Sequence, residues 1–202
     1  MIAVVDYGVG NLHSVTKALQ KVGADARVTT DWREVEKAKG VVFPGVGAFK
    51  DSMDALNRAD LGRAVLEAVH SGKPFLGICV GLQMLFEVGE EFGVSRGLGV
   101  LGGRVVKFKD VPKIPHLGWN QIKVRMPGNP LLEGIPDGSY FYFVHSYYGV
   151  PNDPGVVATT TDYGGDFTSM VWRDNVFATQ FHPEKSQAVG LKLLENFKRY
   201  VG

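Results

Sequence analysis

Short apolar runs alternate with stretches of helical periodicity through the N-terminal half, and that alternation limits the possible folds most. Ile2–Asp6, Ala26–Thr29, Val41–Phe43 and Pro74–Ile78 are brief and apolar, as buried strands are, with Pro44 expected to stop the third. After the first, Asn11 is placed to cap a helix whose Leu12, Val15, Leu19 and Val22 share a face and which Gly23 ends. Leu61–Val69 reads as a helix with Leu61, Val65, Ala68 and Val69 inward, and Val80–Glu87 as the helix after the fourth strand. Strands and helices in this rhythm imply βαβ units and a parallel sheet.

The texture changes from Gly102. Arg104–Phe108, Gln121–Val124, Tyr140–Val144, Val156–Thr160, Ser169–Arg173 and Val176–Phe181 read as strands joined by short turns, so this half is expected to be antiparallel or mixed. An amphipathic helix, Gln187–Tyr200, closes the chain with Val189, Leu193, Leu194 and Phe197 near one face.

At 202 residues the chain is expected to form a single domain, 1–202. A net charge of +1 argues against a nucleic-acid or anionic-membrane footprint. Hydrophobic residues at 45% and charged residues at 21% fit a globular protein and not a disordered one. One cysteine excludes an intramolecular disulfide. Met1–Asp6 lacks the basic region of a secretory signal, and no apolar run approaches the ~20 residues of a membrane span. A cytoplasmic protein is expected.

That cysteine carries the sharpest chemical signal. In Lys73-Pro-Phe-Leu-Gly-Ile-Cys79-Val-Gly-Leu-Gln83 an apolar strand runs through Gly77-Ile-Cys79-Val-Gly81 into a helix. This is a nucleophile elbow with sulfur in place of oxygen. Such a turn strains the nucleophile's backbone, and the flanking glycines remove side chains that would collide there. The thiol then lies at a helix N-terminus, which favours negative charge, and the Val80 N–H is placed to donate to an oxyanion. A lone cysteine more often ends as a small core residue; strand, glycines and helix together favour the nucleophile.

A cysteine nucleophile needs an oriented proton acceptor. Of five histidines, only His182 has an acid at a self-explanatory spacing: in Phe181-His182-Pro183-Glu184, residues i and i+2 of an extended segment project to one side, and Pro183 biases His182 towards extended backbone. Glu184 could hold one ring nitrogen while the other faces Cys79. A surface His-Pro turn is the plain alternative, but the strand feeding this segment favours a site, because α/β enzymes collect catalytic groups at strand C-termini.

The Pro44-Gly45-Val46-Gly47 turn can aim backbone N–H groups at developing negative charge, although turns of this composition are common. Gly8-Val-Gly10-Asn-Leu-His13 lacks the third glycine of a dinucleotide fingerprint, no phosphate-binding loop occurs, and no group has metal-ligand spacing. No metal and no cofactor are expected. The aromatic run Tyr140–Tyr148 lacks nearby basic residues and reads as a strand with one core face, not a base-stacking platform.

An elbow cysteine after a parallel strand, with a late His-Pro-Glu, resembles the class I glutamine amidotransferases over almost the whole chain. Asp6–Ser14, Pro44–Phe49, Gly77–Phe86, Pro115–Asn120, Tyr142–Tyr147 and Gln180–Ser186 are similar to the branch that serves as glutaminase subunits of imidazole glycerol phosphate synthases. The resemblance implies a flavodoxin-like three-layer sandwich, a mostly parallel central sheet with helices on both faces and an added antiparallel portion in the C-terminal half. It implies a Cys79–His182–Glu184 triad that hydrolyses L-glutamine to glutamate and ammonia. Val80, Val46 and Gly45 would form the oxyanion hole after a rearrangement of the Pro44–Gly47 turn, and Gly47, Gln83, Glu91, Ser146 and Tyr147 would contact glutamine.

It further implies a heterodimer with a (β/α)8-barrel cyclase subunit. That partner receives the ammonia and converts PRFAR to imidazole glycerol phosphate and AICAR in histidine biosynthesis. Asn11, Trp119, Asn120, Tyr142 and Lys185 match partner-facing positions, with Trp119 expected on a loop between Gly118 and Asn120. Two alternatives remain open on the sequence: a glutaminase subunit of another synthase, such as the one making pyridoxal 5'-phosphate, and a non-catalytic redox sensor of similar fold.

Overall fold

A computed structural model describes residues 1–202. The N-terminal half runs β1 (Ile2–Val5), α1 (Leu12–Lys21), β2 (Ala26–Thr29), α2 (Trp32–Lys37), β3 (Gly40–Gly45), α3 (Phe49–Arg58), α4 (Gly62–His70), β4 (Phe75–Cys79) and α5 (Val80–Gln83). Strands then dominate: β5 (Phe86–Gly89), β6 (Ser95–Arg96), β7 (Leu101–Lys107), β8 (His116–Gln121), β9 (Lys123–Val124), β10 (Tyr140–His145), β11 (Tyr147–Pro151), β12 (Val157–Asp162), β13 (Asp166–Arg173) and β14 (Val176–Thr179), before α6 (Gln187–Val201).

The main sheet has eight strands in the order β2-β1-β3-β4-β14-β13-β12-β9. From β2 to β14 every pairing is parallel; from β14 to β9 every pairing is antiparallel. The expected change of texture is therefore real, and β14 is the strand where the two regimes meet. A four-stranded sheet, β11-β7-β5-β6, and a two-stranded β10-β8 ribbon complete the C-terminal half. The central strands β1, β3, β4 and β14 are buried throughout, which is why they read as continuous apolar runs without alternation. Helices flank the sheet, with α1 packed beside α6 and α2 beside α4. No helix is long and apolar enough to cross a membrane.

Several sequence expectations need correction. Pro44 does not stop β3 but lies within it. The pairing of β1 with β3 ends at Val42, so that edge of Pro44 has no ladder partner to miss its N–H, and the Tyr7 hydroxyl donates to its carbonyl at 2.8 Å. The helix after β4 is one turn, not Val80–Glu87, because Phe86–Gly89 pairs with β7 and β6. Asn11 stands at the start of α1 without a side-chain cap bond. The sequence reading passed over α2 and α3; α2 is only six residues long and is started by Asp31, whose carboxylate accepts from the Arg33 N–H at 2.9 Å.

Two glycines show what this packing demands. Gly81 has ordinary backbone angles but no room: an added Cβ would lie 1.9 Å from the Phe43 carbonyl oxygen. Gly72 has room and a φ of +78°. Gly72→Ala should therefore cost about 1–2 kcal/mol, the ordinary left-handed penalty. Gly81→Ala should cost at least the ~1–3 kcal/mol of an overpacked core and also displace the elbow. Urea unfolding of both variants checks the contrast: the midpoint should fall further in the Gly81 variant than in the Gly72 variant.

Candidate active site

Three adjacent parallel strands end at one edge of the sheet and deliver the site. The register pairs Gly45 at the end of β3 with Cys79 at the end of β4, and Thr179 at the end of β14 with Ile78. The chain leaving β3 thus supplies Val46 and Gly47, β4 supplies Cys79, and the segment after β14 supplies Gln180 and His182. This is the usual meeting place of groups in an open α/β sheet.

Cys79 takes the strained conformation expected of an elbow, with φ +56° and ψ −110°. A non-glycine residue there costs on the order of 1–3 kcal/mol, so the surroundings must enforce it. They do so by close packing. A Cβ on Gly77 would meet Ala178 Cβ at 3.0 Å, and one on Gly45 would meet the Gly81 N at 2.7 Å and the Tyr7 hydroxyl at 2.8 Å. Burial raises the pKa of the Tyr7 hydroxyl, which keeps it a donor to the Pro44 carbonyl. Beyond β3, the Ser52 hydroxyl donates to the Val46 carbonyl at 3.2 Å and anchors the Pro44–Gly47 turn.

His182 is fixed on both sides. Its backbone N–H donates to the Tyr142 carbonyl at 2.9 Å, the Tyr142 N–H donates to Ser186 Oγ at 3.0 Å, and the Ser186 hydroxyl donates back to the His182 carbonyl at 2.6 Å. Helix α6 closes over this ring of bonds at Gly190, where a Cβ would lie 1.9 Å from the Pro183 carbonyl. Nδ1–H of His182 donates to Glu184 Oε1 at 2.8 Å, both side chains being buried. The pairing expected from the sequence is present, but a 3-10 turn over Pro183–Lys185 makes it, not an extended segment.

Nε2 of His182 is buried without a hydrogen-bond partner, in the cavity that Cys79 also lines. Burial opposes a charge on His182, but the neighbouring Cys79 sulfur and the Glu184 carboxylate outweigh burial and raise its pKa.

These groups share a cavity of about 380 Å³ lined by Val46, Gly47, Cys79, Val80, Gln83, Glu91, Ser146, Tyr147, His182 and others. That volume suits a small metabolite. Of the expected oxyanion and substrate residues only Gly45 is absent from the lining; it lies beneath, in β3. Glu91 lines the cavity while its Oε2 accepts from the Phe49 N–H at 2.7 Å. Gln83 Nε2 donates to the Tyr147 carbonyl at 2.9 Å and to Gln180 Oε1 at 3.1 Å, and Gln180 Nε2 reaches Cys79 Sγ at 3.7 Å. Gln180 was not singled out in the sequence reading. Its position between β14 and His182 is the one signal that could have found it.

The expected docking residues divide. Trp119 lies on β8, not on a loop, yet is 45% exposed and meets Tyr142 edge-on at 6.0 Å. Lys185 Nζ lies 5.8 Å from the Tyr142 ring centre and also lines the cavity. Asn11 is partly exposed at the start of α1. Asn120 turns inward, its Nδ2 donating to the Asp162 carbonyl at 2.9 Å.

No cluster of His, Cys, Asp and Glu has the form of a metal site. A buried thiol, an oriented imidazole and backbone N–H groups around one cavity can perform acyl transfer by a covalent thioester route.

Comparison with known proteins agrees with this chemistry. The chain is 54% identical over 204 residues to an imidazole glycerol phosphate synthase subunit HisH of Syntrophotalea carbinolica, covering 98% of each. It is 53% identical over 197 residues to the protein of the same description from Aquifex aeolicus, covering 97% of this chain and 95% of that one. A solved structure of PurLQS from Thermotoga maritima shares the fold with a TM-score of 0.79 at 20% identity, over 100% of this chain and 98% of that one. Residues 3–199, from the first strand to the last helix, match the family described as glutamine amidotransferase class-I. With the elbow, the imidazole and the sheet edge that joins them all inside that span, the chain belongs to the class I glutamine amidotransferases.

Proposed function

We propose that this chain is the glutaminase subunit of an imidazole glycerol phosphate synthase, with Cys79, His182 and Glu184 as its catalytic residues. The observation that carries the chemistry is the buried His182–Glu184 pair, whose remaining ring nitrogen is unpartnered in the cavity that holds Cys79. A redox sensor has no use for that pair. The curated relatives at about half identity over the full chain carry the synthase-subunit description, which favours this synthase over others.

Cys79 Sγ adds to the side-chain carboxamide carbon of L-glutamine as His182 Nε2 takes the thiol proton. The oxyanion is held by the Val80 N–H and, after the Pro44–Gly47 turn rearranges, by an N–H of Val46 or its neighbour. His182 returns the proton to the amide nitrogen, the C–N bond breaks and ammonia leaves a thioester. His182 then takes a proton from water, which attacks the thioester; the C–S bond breaks, glutamate is released and the thiol regains its proton. Gln83, Glu91, Gly47 and the Ser146–Tyr147 backbone bind glutamine.

The ammonia passes to a (β/α)8-barrel cyclase subunit docked over Trp119, Tyr142 and Lys185; Asn120, turned inward, supports the strand beneath Trp119. The lyase chemistry belongs to that partner. A dry passage matters because ammonia in neutral water is mostly ammonium, which is not a nucleophile. Substrate and product are small and water-soluble, and the setting is cytoplasmic.

Three outcomes test this reading. The glutamine mimic 6-diazo-5-oxonorleucine should label Cys79 in the complex, as read by peptide mass, and Cys79→Ala should abolish both labelling and hydrolysis. Glu184→Gln, which keeps shape but removes the charge that orients and supports His182, should lower kcat by about 10²–10⁴ with little change in KM. If an oxyanion donor is out of place in the free chain, adding the cyclase and its ligand should raise kcat by about 10²–10³. Equal turnover with and without the partner would refute that gating.

A further inference from the structure

Two buried histidines have no part in the chemistry above. His116 begins β8 and His145 ends β10, and the antiparallel register sets them directly opposite each other. His116 Nδ1 and His145 Nε2 are 3.0 Å apart, His145 Nδ1 is 2.8 Å from the Tyr147 carbonyl oxygen, and Asn120 Nδ2 is 3.2 Å from His116 Nε2.

The direction of each bond follows from one atom. A carbonyl oxygen only accepts, so His145 Nδ1 carries a proton. Burial lowers the pKa of both rings, so both are neutral and His145 Nε2 is bare. His116 Nδ1 must then donate to it, His116 Nε2 must accept, and the Asn120 amide is the donor that meets it. The series runs one way, from Asn120 through His116 and His145 to Tyr147. At its far end the same carbonyl accepts from Gln83, which is bonded to Gln180, whose amide reaches the Cys79 sulfur. At its near end lies β8, which presents Trp119 to the outside.

We propose that His116 and His145 are positioning residues: a neutral, directional hydrogen-bonded strut that fixes the Tyr147 carbonyl in the glutamine cavity and ties it to the strand carrying Trp119. A filler role would need only the rings, which pack among Phe108, Phe143, Tyr163 and Phe167. A strut needs a donor on His116 and an acceptor on His145. The kinetic part of the proposal rests on the glutaminase reading; the tautomers do not.

The two roles predict opposite rankings of two variants, assayed in the complex with the cyclase subunit. His116→Phe keeps an aromatic ring and loses the donor. His116→Asn loses the ring and keeps an N–H close to the place of Nδ1. The strut predicts a glutamine KM raised about five- to tenfold in His116→Phe, the worth of one buried hydrogen bond, with kcat changed less than KM, and recovery to within about twofold in His116→Asn. A His116→Phe variant that matches the unsubstituted chain, or a His116→Asn variant no better than His116→Phe, overturns it.

A second measurement needs no variant and no activity. Imidazole ¹⁵N shifts of the histidine-labelled chain at neutral pH should show His116 and His145 both neutral with the proton on Nδ1, the form less favoured in water. A proton on Nε2 of either ring overturns the strut. Absence of any glutaminase activity in the complex would remove the functional reading and leave the tautomer result standing on its own.

Discussion

The working end of this protein depends on a backbone-to-backbone approach between Gly81 and the carbonyl of Phe43, which leaves no room for a Cβ. That approach lets the turn after β4 press against β3, and only then can Cys79 be held at φ +56°. The strain at one residue is balanced by the packing of fully buried neighbours: Phe43 meets Tyr7 at 5.3 Å and Phe75 at 6.0 Å between ring centres. Sheet packing and the strained conformation of Cys79 are one event here, because loosening the first releases the second.

Two buried imidazole systems lie a short distance apart with opposite electrostatic character. His182 gains a proton readily, since the Cys79 sulfur and the Glu184 carboxylate beside it outweigh burial. His116 and His145 meet no such charge, and burial keeps them neutral. The same low-dielectric interior thus lets one imidazole take a charge and keeps the other two neutral, and the decisive difference is the neighbour and not the depth.

What could be read from the sequence follows from how local the cause is. The parallel half was legible because buried strands must be apolar and their crossovers amphipathic. Gly-x-Cys-x-Gly and His-Pro-Glu were legible because each packs its requirement into five residues or fewer. Gly190 gave no warning: its demand comes from the Pro183 carbonyl, which meets it only after α6 folds back over the preceding turn. Pro44 misled because its effect depends on where β1 stops pairing, a fact of another segment. The inward turn of Asn120 and the His116–His145 bond arise from a register between strands, which no single stretch of chain encodes.

The placement of β14 orders events during synthesis. This late strand is inserted between β4 and β13, so the middle of the main sheet is finished after its parallel side has been translated. The thiol of Cys79 is therefore made 103 residues before the imidazole of His182, which follows the strand that fills the gap. The cavity wall that both side chains share can be completed only once β14 stands beside β4.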